Sequence, residues 1–198
     1  VIFLAGLRKR YLFSAFLLVM AAIPTFWLFV MRDYQKQRVL TLLSPEDDKL
    51  GAGWNIIQST TAIGSGGWSG KGWTLGTQSQ LNFLPESHTD FIIAVLAEEF
   101  GLMGVLALCT LYALLIGRCI MIALNSQSQF GRMIAGSLTL TFLTYVFVNM
   151  SMVSGILPVV GVPLPFISYG GTAIVTLFLG FGILMAISTE PKRIRTTL

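Results

Sequence analysis

In this chain of 198 residues, 54% are hydrophobic and only 11% are charged. A water-soluble domain carries about 25% charged residues, so the natural solvent here is lipid. The net charge of +4 does not mark a nucleic-acid binder, because the basic residues sit in short clusters beside apolar runs and form no basic face interleaved with aromatics. Cys109 and Cys119 lie in one apolar run and point in different directions on a helix, so they read as small packed or lipid-facing thiols and carry no redox information.

The opening Val1-Ile2-Phe3-Leu4-Ala5 reads as the stub of a longer apolar segment, as expected of a fragment. A membrane span needs about 20 mostly apolar residues. Residues 12–31 qualify, interrupted only by Ser14, Pro24 and Thr25. A long loop, 32–90, follows. Within it, 33–43 places Lys36 and Arg38 among Val39, Leu40, Leu42 and Leu43, which suits a short interfacial helix. Ser44-Pro45-Glu46-Asp47-Asp48 is a stop and a turn. Residues 51–58, with Trp54, Ile56 and Ile57, read as another half-buried helix. Glycine then dominates, at Gly64, Gly66, Gly67, Gly70, Gly72 and Gly76, with Trp68 and Trp73 between. A loop of this length inside a compact protein is usually functional or disordered, and its Trp and Ile residues argue for order.

The second expected span is 91–117, with Glu98 and Glu99 near its start, and the third is 133–153. Residues 154–170 contain Pro158, Pro163 and Pro165 among glycines and cannot form one regular helix. Non-helical backbone at membrane depth survives only inside protein or beside a wet cavity, so this stretch reads as a re-entrant or broken outer segment, with a plain proline-rich turn as the alternative. The fourth span, 171–188, is short and punctuated by Gly180 and Gly182, and a tail, 189–198, follows. The expected fold class is therefore an all-α polytopic membrane protein with four transmembrane helices and a long extracytoplasmic loop.

Lys and Arg beside span ends give the orientation. Arg8, Lys9, Arg10, Arg118, Arg132, Lys192, Arg193 and Arg195 all fall on one side if the helices alternate, and that side should be cytoplasmic. The long loop holds five basic residues against six acidic ones and shows no positive bias.

The densest polar group is Leu84-Pro85-Glu86-Ser87-His88-Thr89-Asp90-Phe91, which contains the only histidine. Three readings compete. Ser87 and Asp90 fit a capping box, with Asp90 at the third helical position, where a carboxylate also complements the macrodipole. Glu86, His88 and Asp90 could hold a metal, on a weak pattern. Asp90 could instead act as a general base at the membrane surface. Glu98 lies about 12 Å further along the helix. Acidic side chains at such depth usually face a cavity or a partner, so Glu98 and Glu99 read as polar residues of a cleft, or as headgroup-level residues if the helix starts higher.

The run Gly70-Lys71-Gly72-Trp73, followed by Gly76-Thr77-Gln78-Ser79-Gln80-Leu81-Asn82-Phe83-Leu84-Pro85-Glu86-Ser87-His88-Thr89-Asp90-Phe91, closely resembles the bacterial SEDS family (shape, elongation, division, sporulation). Asp33-Tyr34-Gln35-Lys36-Gln37-Arg38-Val39, Ala94–Gly101 and Gly161–Gly171 extend the resemblance over essentially the whole chain. The Lys71 context and Thr77–Gln80 favour the RodA-type, elongation-specific branch over the FtsW-type division branch.

The resemblance implies a peptidoglycan glycosyltransferase that polymerises lipid II in the bacterial cytoplasmic (inner) membrane, with the loop facing the periplasm and the C-terminus cytoplasmic. It assigns the essential aspartate of the family's His-Thr-Asp motif to Asp90. Cationic help for the pyrophosphate leaving group is expected from Lys71 or from a divalent cation, Mg2+ or Mn2+, near Asp90. Gln80, Glu86, His88 and Ser168 are expected in the cleft. A class B penicillin-binding protein and the elongation complex are the implied partners, besides membrane lipids. Family members have about ten spans; the four here match the last four, so part of the cavity wall is expected from the missing half. Two rivals remain. A lipid II flippase would use the same cavity without a base, and a non-catalytic scaffold would need neither Asp90 nor Lys71.

Overall fold

The computed structural model describes residues 9–48, 51–80 and 88–189; these form helices and turns without a strand. Among the described residues four helices are long and apolar enough to cross a membrane, and the chain is a multi-pass membrane protein.

Helix α1 (Lys9–Thr25) carries Pro24 near its end. Proline has no N–H, so one rung is missing and the helix passes into a π-helical turn, Phe26–Val30. No residue of the window Phe13–Val30 is buried. Helix α2 (Asp33–Leu43) starts where Gln35 Oε1 accepts from the Arg32 N–H at 3.1 Å, and a 3-10 turn, Pro45–Asp47, ends it. Helix α3 (Ala52–Gly66) runs further than residues 51–58, because Ile63 and the small Ala62 continue its apolar face to the glycines. A short turn of helix, α4 (Thr77–Gln80), follows the glycine loop.

Helix α5 (Ile92–Asn125) extends past the expected end at 117. Arg118 alone does not stop it, because Cys119 and Ala123 still find a buried groove against Ala135 and Leu184. Ser128 then caps α6 (Gln129–Val153), its Oγ accepting from the Gly131 N–H at 2.9 Å. Residues 154–170 hold no regular helix, with left-handed φ at Gly155, Gly161 and, unusually for a side-chain-bearing residue, Phe166. Helix α7 (Gly171–Ser188) closes the described chain.

The core lies between α3, α5, α6 and the 154–170 segment, around Ala62, Phe91, Leu108, Phe142, Met152 and Leu164. Fully buried Ser59 ties α3 to the end of α6, its Oγ donating to the Val153 carbonyl at 2.9 Å.

The glycine loop is built into α5. Gly101 has φ 66° and ψ −162°, a region open essentially only to glycine, and it breaks the helix. The rungs that Leu102 and Met103 would donate to Glu98 and Glu99 are exchanged for loop partners. Leu102 N donates to Gly67 O at 2.9 Å and Met103 N to Trp68 O at 3.2 Å, while Lys71 N and Gly72 N donate to the Glu98 and Glu99 carbonyls, each at 3.0 Å. The approach leaves no room for side chains: a Cβ on Gly101 would lie 2.3 Å from Gly70 N, and one on Gly70 would lie 2.1 Å from Glu99 O.

Candidate functional site

Asp90 lies in a turn, His88–Asp90, that precedes α5. The helix begins at Ile92 with Phe91 as its N-cap, so Asp90 is not at the third helical position and the capping-box reading fails. The helix starts later than the pattern suggested because Phe91 is needed in the core, where it is 1% exposed.

Contacts from α6 and from the 154–170 segment fix the turn through its backbone carbonyls. Asn149 on α6 donates from Nδ2 to the Asp90 carbonyl at 2.8 Å and to the Val162 carbonyl at 2.6 Å. Ser168 Oγ donates to the Thr89 carbonyl at 2.5 Å and accepts from Leu164 N at 2.7 Å. Tyr169 N donates to the His88 carbonyl at 3.0 Å. The 154–170 segment is itself anchored by Tyr112, whose hydroxyl donates to the Pro165 carbonyl at 2.6 Å. Such over-determination is what a precisely held reactive group requires.

The Asp90 carboxylate borders a cleft of about 450 Å³ together with Arg38, Asn55, Gly161 and Tyr169. A Cβ on Gly161 would stand 3.3 Å from Asp90 Oδ2, so glycine keeps that wall open. Arg38, on α2, donates from Nη1 to the Val159 carbonyl at 3.0 Å, which leaves other guanidinium donors for a ligand. Asp90 and Arg38 are the ionisable groups with opposite charge among the described residues of this cleft.

Lys71 lies elsewhere. Its ammonium is 2.7 Å from Glu98 Oε1 and 2.9 Å from Thr77 Oγ1. Glu98 is fully buried and also accepts from Thr77 N at 2.8 Å, Thr77 Oγ1 at 3.0 Å and Gln78 N at 3.1 Å. The pair locks the glycine loop and the start of α4 onto α5, with every carboxylate contact on a donor, as a buried ion needs. Glu99 is buried beside it, its carbonyl taking the Gly72 N–H. His88 is exposed and contributes its carbonyl to the clamp, and Ser168, 3% exposed, contributes its hydroxyl to backbone positioning. Glu86 and the Gln80 side chain lie outside the described residues. Among the described residues no three His, Cys, Asp or Glu side chains converge on a metal position. The described lining of the Asp90 cleft thus offers one carboxylate and one guanidinium and does not by itself fit an all-protein metal site.

Sequence reasoning passed over Arg38 as a catalytic-cleft residue and Asn149 altogether. An asparagine within an apolar span is a signal that would have found the second.

The family model of the FtsW, RodA and SpoVE cell cycle proteins matches residues 1–193. The chain is 62% identical over 192 residues to the peptidoglycan glycosyltransferase MrdB of Escherichia coli K12, covering 97% of this chain and 52% of that protein. It is 41% identical to the probable peptidoglycan glycosyltransferase FtsW of Geobacter metallireducens, covering 96% and 50%. The chain therefore spans about half the length of the curated relatives it matches. Among solved structures, a chain of a peptidoglycan synthase complex aligns with TM-score 0.74 at 28% identity, covering 93% of this chain and 50% of that one. The rod shape determining protein RodA of Thermus thermophilus aligns with TM-score 0.52 at 23% identity, covering 83% and 60%, a likeness of fold. This chain belongs to the FtsW/RodA/SpoVE family of cell cycle proteins, the SEDS family.

Proposed function

We propose that this chain supplies the catalytic outer face of a RodA-type peptidoglycan glycosyltransferase that polymerises lipid II during cell elongation and rod-shape maintenance. The observation that carries the reading is Asp90, in a turn clamped through its backbone carbonyls, lining a cleft with Arg38. Asp90 accepts the proton of the acceptor sugar's hydroxyl as its oxygen bonds to the donor's anomeric carbon. The bond from that carbon to the pyrophosphate oxygen breaks, and its electron pair leaves with the polyprenyl pyrophosphate. Arg38 supplies fixed positive charge to that leaving group, the kind of preorganised stabilisation that outweighs other terms in such reactions. Lys71, engaged by Glu98, is a less suitable source. A divalent cation, Mg2+ or Mn2+, would have to be shared between Asp90 and the substrate's own phosphates, as Mg2+ commonly is.

The cleft faces the periplasm and the C-terminus the cytoplasm in this reading, which rests on the distribution of Lys and Arg about the spans in the bacterial cytoplasmic membrane. A class B penicillin-binding protein is the proposed partner, supported by the likeness to a chain of a peptidoglycan synthase complex.

The test is lipid II polymerisation by the intact protein with a partner that has no glycosyltransferase activity of its own, comparing wild type with Asp90→Asn at equal folding and complex formation. Loss of glycan in the variant alone supports the general base. Equal product from both defeats it and leaves transport or scaffolding.

A further inference from the structure

The glycine loop turns its polar groups inward and its bulk outward. Trp68 is 74% exposed, Trp73 70% and Leu75 65%, with the Trp73 ring edge-on to Phe100 of α5 at 5.4 Å. The small residues face the other way: a Cβ on Gly66 would meet the Ala97 carbonyl at 1.9 Å, and Gly70 abuts Gly101. The main chain is turned in as well. Gly67 O and Trp68 O accept from Leu102 and Met103, Lys71 N and Gly72 N donate to Glu98 and Glu99, and Gly70 N and Leu75 N close turns on Gly66 O and Gly72 O. Lys71 is the only charged residue from Gly67 to Leu75, and its ammonium is drawn onto the fully buried Glu98 carboxylate at 2.7 Å. The loop therefore presents two indoles, a leucine and the hydroxyl-bearing Ser69 and Thr74 to its surroundings, with no free charge.

The height of the loop follows from α5. Trp68 O takes the Met103 N–H, and Arg118, past the far end of the apolar stretch, lies about 22 Å further along the helix axis. Between them Leu106, Leu111 and Leu114 are exposed. An arginine reaches a few ångströms beyond its own Cα toward water, so the two levels are separated by nearly the hydrocarbon thickness of about 30 Å. The loop thus lies at the hydrocarbon edge opposite Arg118, the depth that tryptophan prefers, with its ring against acyl chains and its N–H among headgroups. We propose that residues 67–75 are an interfacial anchor, with Trp68, Trp73 and Leu75 inserted among the headgroups and upper acyl chains of that leaflet. Lipid fits the loop better than the other surroundings. Water would not require the charge and the main chain to be turned inward, and it would face bare indoles. Another span would seek small residues to pack against, whereas here the glycines are taken up by α5 and the large side chains stand outward. The loop is hydrogen-bonded to the Glu98–Met103 stretch, and the Asp90 turn lies about 12 Å further out along the same helix, so the anchor sets how far the Arg38–Asp90 cleft stands above the hydrocarbon.

The experiment uses the full-length protein in phosphatidylcholine vesicles whose acyl chains carry bromine either near the carbonyl end or near the methyl end. Unsubstituted protein is compared with the Trp68→Phe, Trp73→Phe double variant, so the difference in tryptophan emission belongs to these two indoles. That difference should be quenched about twofold more by bromine near the carbonyl end than by bromine near the methyl end, as an indole at the interface requires. Iodide in the water should quench it little. Quenching by iodide without quenching by either brominated lipid places the loop in water and overturns the proposal. Quenching by none of the three places it under protein, and equal quenching by the two lipids places it deep in the bilayer; each overturns the proposal equally. Should the double variant not fold, Trp68→Phe and Trp73→Phe taken singly give the same readout for each indole.

Discussion

Asn149 on α6 shares one side-chain nitrogen between the carbonyls of Asp90, at 2.8 Å, and Val162, at 2.6 Å. The candidate base and the broken segment over it are thereby held by a third element. Asn149→Leu leaves two part-buried carbonyls without that donor, at a cost of about 1–3 kcal/mol. The expected outcome is a lower thermal midpoint in detergent and reduced glycan synthesis, although the side chain does not border the cleft.

Lys71 and Glu98 make a falsifiable pair. Lys71→Met leaves a carboxylate with no exposed surface and no counter-charge, which should destabilise the protein by about 2–4 kcal/mol. Adding Glu98→Gln removes the orphaned charge and keeps an acceptor for Thr77 and Gln78. Thermal unfolding of the double variant should therefore recover most of the loss; a further drop would show that Lys71 acts on something other than Glu98.

Gly101→Ala inserts a Cβ 2.3 Å from Gly70 N in a backbone region closed to other residues. Strain alone costs about 1–3 kcal/mol, and the displaced loop adds to it. Hydrogen exchange at Lys71, Gly72, Leu102 and Met103 should rise together, because these amides share one splice.

Arg38 should be separable from Asp90 in kinetics. Arg38→Ala is expected to lower lipid II turnover about 10²-fold by removing charge from the leaving group's side. Arg38→Lys should restore only part, because a point charge replaces a planar fork that also holds Val159. Full activity in Arg38→Ala, measured as glycan product over time, would remove it from the mechanism.

The spans were legible because length and apolarity are local properties, and α7 occupies the same residues, 171–188, that its composition marks. The break in α5 was not, because one glycine in an apolar run looks like any other until the loop that repairs it is in place. Lys71 and Glu98 are distant in sequence, so nothing local reveals that one neutralises the other; the acidic residue at depth was visible, its partner was not. Ser87 and Asp90 matched a capping pattern, yet the demand for Phe91 in the core moved the helix start beyond them. Tertiary packing outweighed a signal worth about 1 kcal/mol.

The exchange of rungs between the glycine loop and α5 has a consequence for how this region can vary. The Gly67 and Trp68 carbonyls and the Lys71 and Gly72 amides each meet a counterpart at a set position on the broken helix. An inserted or deleted residue between Trp68 and Lys71 would put the two pairs of partners out of step and break hydrogen bonds that hold the loop to the helix. Length changes, epitope tags and protease sites must therefore fall outside Gly67–Gly72.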